Sequence, residues 1–217
     1  MPQPFKRGWL PTPDACILRP QLAAHIGTIA SLWTHMELLL GKVTGEIMHV
    51  DAFIGMSIYA AIKSEVIRLS IIDNVAERYL NPDLCAEFKK LRERIRRTSD
   101  ERDTVIHGLW GLPMAELGGN DFFATTDTMI LADQRKIVMY VAAVTALVHK
   151  GKDFPGDKER IAAAEDQVIP ALEYTERDFI AIEDRIKERT REVSEFGAKV
   201  AQFHAQQKAL GGQTTPS

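Results

Sequence analysis

Cysteine is nearly absent from this chain, with only Cys16 and Cys85 in 217 residues. Two cysteines so spaced form neither a disulfide framework nor a metal or redox motif, and they suit a reducing compartment. Long hydrophobic runs are missing as well. The longest, from Ile137 to Val148, is shorter than the roughly 20 residues a membrane-spanning helix needs. The N-terminal stretch MPQPFKRGWLPTPD lacks the apolar centre of a signal peptide. There is no glycine-rich phosphate loop and no Ser-His-Asp arrangement, so neither a P-loop enzyme nor a serine hydrolase is expected. His25, His35, His49, His149 and His204 are scattered without ligand spacing, so no metal site and no cofactor are expected. A net charge of −3 argues against broad affinity for nucleic acid or membrane, and leaves room for a local basic groove. These absences together describe a cytoplasmic protein that does not engage a membrane.

What is present is helical periodicity. With 45% hydrophobic and 26% charged residues, the chain suffices for one substantial core and an appended piece. Leu22, Ile26, Ile29, Trp33, Met36, Leu40, Val43 and Ile47 recur at alternating spacings of 4 and 3, which predicts a long amphipathic helix opening at Pro20. Gly41 and Gly45 lower its propensity and permit close approach of a neighbour. A second helix, capped by Asp51, is expected to bury Ile58, Ile62, Val66, Leu69, Ile72, Ala76 and Tyr79. Asn81-Pro82 opens a third, with the stripe Leu84, Phe88, Leu91, Ile95, Thr98, Arg102, Val105 and Leu109.

Beyond Gly111 the pattern changes. Leu112 to Leu117 and Asp121 to Thr126, around Gly118-Gly119-Asn120, predict a small hairpin or loop insertion. Asp133 to Lys150 returns to an apolar helix, and Gly151 to Gly156 marks a boundary. A 3–4 stripe from Ile161 to Leu210 then predicts a long coiled-coil-like helix, kinked or broken at Pro170. Its face from Phe179 to Phe203 is too apolar for water, and packs on a second subunit or back on the bundle, the dimer being preferred. The fold class is therefore all-α, a four-to-five-helix bundle with a small insertion and a long C-terminal helix. The divisions expected are an extended arm over residues 1–19 with no element of its own, the bundle over 20–150, a helical extension over 151–210 and a disordered tail over 211–217.

One stretch concentrates residues suited to chemistry: Arg102, Asp103 and His107 at the end of the third helix. Arg102 places a cation on a face that should meet the core, where an unpaired charge is costly. Asp103 and His107 are four residues apart, about 40° on a helix, so the carboxylate is placed to orient the imidazole. Arginine carries a permanent charge with forked donors that match phosphate oxygens, and imidazole exchanges protons near neutrality. Arg102 and His107 themselves point about 140° apart on a regular helix. A curled arginine, or two chains facing one cleft, would bring them together. The plainer alternative is a buried arginine–glutamate pair and a histidine at a helix end. Glu37, beside the first stripe, is a candidate partner for Arg102 or His107. Between Lys89 and Asp103, seven cations stand against four acids, and Lys89, Arg92, Arg96 and Arg97 are candidates to follow an RNA backbone.

The motif Arg102-Asp103, three residues, then His107-Gly108 resembles the signature of the HEPN superfamily, and the helical pattern over roughly residues 20–150 agrees with it. That resemblance implies a HEPN-like bundle, a metal-independent endoribonuclease with RNA as substrate, and a homodimer. It also implies a setting in defence or toxin–antitoxin systems, with an inhibitory protein partner. One subgroup carries Tyr two residues after the His; here that position is Leu109, so chemistry needing that Tyr is not supported. The competing expectations are a non-catalytic protein-interaction module working through the C-terminal helix, and a nucleotide-binding regulator using the Arg102–His107 cleft.

Overall fold

The computed structural model describes residues 2–5, 9–11, 14–113, 128–132 and 171–211. Their order is β1 (Gln3–Phe5), β2 (Trp9–Pro11), α1 (Ala15–Leu18), α2 (Pro20–Met48), α3 (Ala52–Ala61), α4 (Glu65–Tyr79), α5 (Pro82–His107), β3 (Leu109–Pro113), β4 (Thr128–Ala132), β5 (Ala171–Thr175) and α6 (Glu176–Gly211). The chain is mostly helical, as expected. It forms two compact units: Met1–Thr28 with Glu101–Ala181, and Ile29–Asp100 with Ile182–Ser217. The expected glycine turn at 118–120, the helix over 133–150, the boundary at 151–156, the stripe before Pro170 and the tail over 212–217 lie outside the described residues.

The first unit is built on a five-stranded antiparallel sheet in the order β1-β5-β4-β3-β2. The N-terminal arm, expected to lack any element, supplies both edge strands and the single turn of α1. Its prolines explain the placement: Pro4 and Pro11 have no N–H to donate and are tolerated at sheet edges. After the motif β3 pairs with β4, Trp110 opposite Leu131; of the expected hairpin, residues 114–117 and 121–126 lie outside the described residues. The central strand Thr-Met-Ile-Leu-Ala reads as a continuous apolar run because its last four residues are buried. Trp110 donates its indole N–H to the carbonyl of Val105 at 3.1 Å, and its ring meets Tyr174 and Phe179 at 5.4 and 5.6 Å.

The stripe expected to continue through Leu109 stops at His107, because Gly108 turns the chain into β3. A Cβ on Gly108 would collide with the Leu131 side chain, so the turn requires glycine. The strand Ala171–Thr175 separates Pro170 from the C-terminal helix. Asp178 then accepts from the backbone N–H and the hydroxyl of Thr175, at 3.1 and 2.7 Å, and caps the start of α6.

In the second unit the predicted stripes meet. Ile29, Trp33, Met36, Leu40, Val43 and Ile47 of α2 are buried, as are Leu69, Ile72 and Ala76 of α4 and Phe88, Leu91 and Ile95 of α5. Ile182, Ile186, Val193, Phe196 and Val200 of α6 are buried within the chain itself, so the C-terminal stripe is not a free seam for a second subunit. Arg189 interrupts that stripe and is held by Glu192 at 2.9 Å. Thr98 interrupts the α5 stripe and returns its hydroxyl to the Arg94 carbonyl, one turn back, at 3.1 Å.

The second expected helix is two helices. Asp51 caps α3 by accepting from the Phe53 N–H at 2.8 Å, as predicted. Ile62 is extended and Ser64 starts a new helix as its cap. Ile58 and Val66, expected in one stripe, are therefore exposed. Only Gly55 and Tyr59 of α3 are buried, because α3 meets α2 backbone to backbone. A Cβ at Gly55 would strike the Gly45 backbone and lie 2.7 Å from the Gly41 carbonyl oxygen.

The opposed signs of two glycine substitutions test this contact. A Cβ added at Gly27 on α2 would meet nothing within 4 Å, so Gly27→Ala should stabilise by up to about 1 kcal/mol through helix propensity. Gly55→Ala should instead destabilise by about 1–3 kcal/mol, as overpacking does. Urea unfolding with an unchanged denaturant slope measures both, and stabilisation by Gly55→Ala would show that the backbones are not in contact.

Candidate functional site

Arg102, Asp103 and His107 lie in the last two turns of α5, within the first unit. The Arg102 guanidinium donates to the Asp103 carboxylate, with side-chain exposures of 19% and 49%. The apolar face thus carries a cation that is oriented by its sequence neighbour, and the lack of an apolar residue there is explained without an unpaired charge. His107 is the last helical residue and is exposed, so its imidazole can meet a solute. The carboxylate of Asp103, expected to orient His107, is engaged by Arg102.

Glu37 belongs to the second unit and has a different employment from the one expected. It accepts from Arg68 at 2.7 Å, and the Arg68 guanidinium lies 4.8 Å from the centre of the Tyr59 ring. Burial pushes the Tyr59 phenol well above its usual range, against the pull of Arg68. The three side chains form a partly buried network joining α2, α3 and α4, which is a scaffold for the second unit.

The basic run on α5 is compensated at each residue expected to follow RNA. Lys89 pairs with Glu77 at 2.7 Å, which raises the lysine's pKa and lowers the glutamate's through their hydrogen bond. Arg92 pairs with Asp73. Arg96 reaches both Glu93 and Asp100 at 3.1 Å, and Arg97 reaches Glu93 at 3.2 Å. Hydrogen bonds from Arg96 and Arg97 pull the Glu93 carboxyl down to about 2. Exposed pairs of this kind are worth little and exchange readily. They nevertheless cancel the local positive field that a phosphate backbone would follow.

Among the described residues, no group of three or more His, Cys, Asp or Glu side chains is arranged to hold a metal ion. No described helix is long and apolar enough to cross a membrane. Cys85 donates to the Ala76 carbonyl at 3.1 Å, and burial raises its thiol pKa, as expected of a structural rather than a reactive cysteine.

Two histidines that looked unrelated in the sequence are neighbours. His49 and His204 meet edge to face with ring centres 4.4 Å apart in the second unit, beside an open cleft. His49 stands just after α2 with φ of 60°, a left-handed position that histidine adopts more readily than most residues. No sequence signal linked them, because 155 residues separate them and neither has ligand spacing.

Burial, and then the neighbouring His49, hold the His204 imidazole below its ordinary value, while the Ile47 and Glu46 carbonyls and the Glu46 carboxylate pull upward. A base whose folded pKa lies below its unfolded value takes up its proton later when folded. Below about pH 6.5 the unfolded chain therefore binds more protons at this position, and stability falls as pH drops toward the folded pKa. His204→Gln should flatten the dependence of Tm on pH between about pH 7 and 5. An identical slope in the variant would show that His204 does not contribute.

Comparison with protein-family models, with curated proteins and with solved structures finds no match for this chain.

Proposed function

We propose that the chain is a HEPN-type endoribonuclease that works without a metal, with Arg102 binding the scissile phosphate and His107 moving the proton. The observation that supports this reading is the exposed imidazole of His107 on the final residue of α5, just beyond the oriented Arg102–Asp103 pair. In the proposed reaction His107 takes the proton of a ribose 2′-hydroxyl as the 2′-oxygen bonds to phosphorus. The bond from phosphorus to the 5′-oxygen breaks, and the proton is returned to that oxygen. The products are a 2′,3′-cyclic phosphate and a 5′-hydroxyl end. Arg102 offsets the charge gathering on the non-bridging oxygens. Asp103 is half exposed, so a phosphate can displace it at small cost.

The angle of about 140° between Arg102 and His107 on one helix is met by two copies facing a shared cleft. A second copy also has a surface to use. No charged residue occurs from Ala52 to Ile62, and one side of α3 exposes Phe53 (74%), Ile54 and Ile58. Asp51 and Lys63 bracket that side with opposite charges, so two copies of α3 packed antiparallel set each acid beside the other's lysine. In this reading the assembly is a homodimer, and an inhibitory protein partner restrains it in a defence or toxin setting.

A second reading, a helical binding module without catalysis, is favoured by the compensated charges of Lys89, Arg92, Arg96 and Arg97. Incubation of total RNA with the protein and a chelator separates the two. We expect cleavage to persist in chelator and leave cyclic phosphate ends. His107→Ala should slow it by about 10²–10⁴-fold. Arg102→Ala should abolish it while changing stability by less than about 1 kcal/mol, because the Asp103 carboxylate that it releases is half exposed and hydrates readily. Loss of activity on metal removal, or an undiminished rate in His107→Ala, rejects the mechanism. Assembly is tested by sedimentation at micromolar concentration: the native chain should be a dimer and Phe53→Glu a monomer. A monomeric native chain rejects the dimer.

A further inference from the structure

Within the second unit, the ends of α2, α4 and α6 and the start of α5 border an open cleft of about 550 Å³. Its walls include His49, Arg78, Tyr79, Phe203, His204 and Lys208, with no acidic side chain among the described residues that line it. The two cations here differ from the paired ones on α5 and α6. Lys89, Arg92, Arg96, Arg97 and Lys199 each stand in an ion pair, whereas Arg78 and Lys208 have no acidic partner among the described residues. Both occupy the last turn of their helices, where a cation is favoured by the exposed carbonyls. That preference accounts for one cation at each helix end. It does not account for an acid-free lining, nor for what joins it.

One further feature points to an occupant. Tyr79 and Phe203 add aromatic rings to the same walls, with Tyr79 half exposed. Unpaired cations recognise a phosphate, and ring faces recognise a planar base. The volume lies within the range that takes a small organic ligand.

We propose that this cleft binds a nucleoside monophosphate, with Arg78 and Lys208 on the phosphate and Phe203 and Tyr79 against the base. The assignment does not rest on Arg102 or His107, and it stands or falls apart from RNA cleavage.

Titration calorimetry with the full chain tests it, using AMP, adenosine, inorganic phosphate and a short single-stranded RNA. AMP should bind with Kd below about 1 mM, and adenosine or phosphate alone at least about tenfold more weakly, because each keeps half of the contacts. Arg78→Gln and Lys208→Gln should each weaken AMP about tenfold, as expected for a lost charge-assisted hydrogen bond, with ligand-free Tm unchanged. Phe203→Leu keeps an apolar side chain but loses the ring face, and should weaken AMP and adenosine while sparing phosphate. The proposal is overturned by any of three results: no AMP binding by the native chain, AMP binding no tighter than phosphate, or AMP affinity unchanged in the two glutamine variants. Tighter binding of the RNA than of AMP, lost in those variants, also overturns it and makes the cleft a polynucleotide site.

Discussion

Burial of one apolar stripe per helix is the interaction on which the second unit depends. Each large aliphatic or aromatic side chain removed from water contributes about 1.5–3 kcal/mol. α6 alone commits Ile182, Ile186, Val193, Phe196 and Val200 to that core. Because this stripe is spent inside the chain, the longest amphipathic segment of the sequence is not available as a partner surface. α3 is the exception that follows from the same rule. It contributes only Gly55 and Tyr59, approaches α2 through glycine, and leaves its other apolar side exposed. An uncharged helix held by its backbone keeps an apolar side exposed because the core does not need that side.

Electrostatics distinguish the candidate sites from their surroundings. Along α5 most of the cations are matched by acids on the same helix or on α4 and α6. Arg102 is also matched, but by a half-exposed neighbour, and the exposed His107 follows one turn later. At the cleft, among the described residues, Arg78 and Lys208 stand without acids beside two imidazoles. A charge that folding leaves uncompensated needs little reorganisation to meet an anion, whereas a paired charge must first release its partner. That difference in cost separates the cleft cations from the basic run, which is the more conspicuous of the two in the sequence.

Periodicity carried most of the helical structure into the sequence. The α2 stripe is buried at every position except the half-buried Ile26, and the cap at Asp51 and the start at Pro82 fall where the residue types require them. Those features are local, since a helix reports its buried face every three or four residues. The sheet was not legible in this way. Its central strand has no alternation, its β5 strand continues a helical pattern, and its edges come from an arm rich in proline. Strand pairing joins segments more than 160 residues apart, as Gln3 with Glu173, and no local pattern records that partnership.

The sequence by itself determined that α2 and α5 form, where α5 begins, and that Arg102, Asp103 and His107 share its end, because backbone periodicity and capping act over a few residues. Tertiary structure decided the partners. Glu37 went to Arg68, the C-terminal stripe went into the core, and His49 met His204 beside two cations. The physical reason is the range of the forces. Helix propensity and caps are settled between neighbours, whereas ion pairs, ring contacts and clefts depend on which distant surfaces burial brings together.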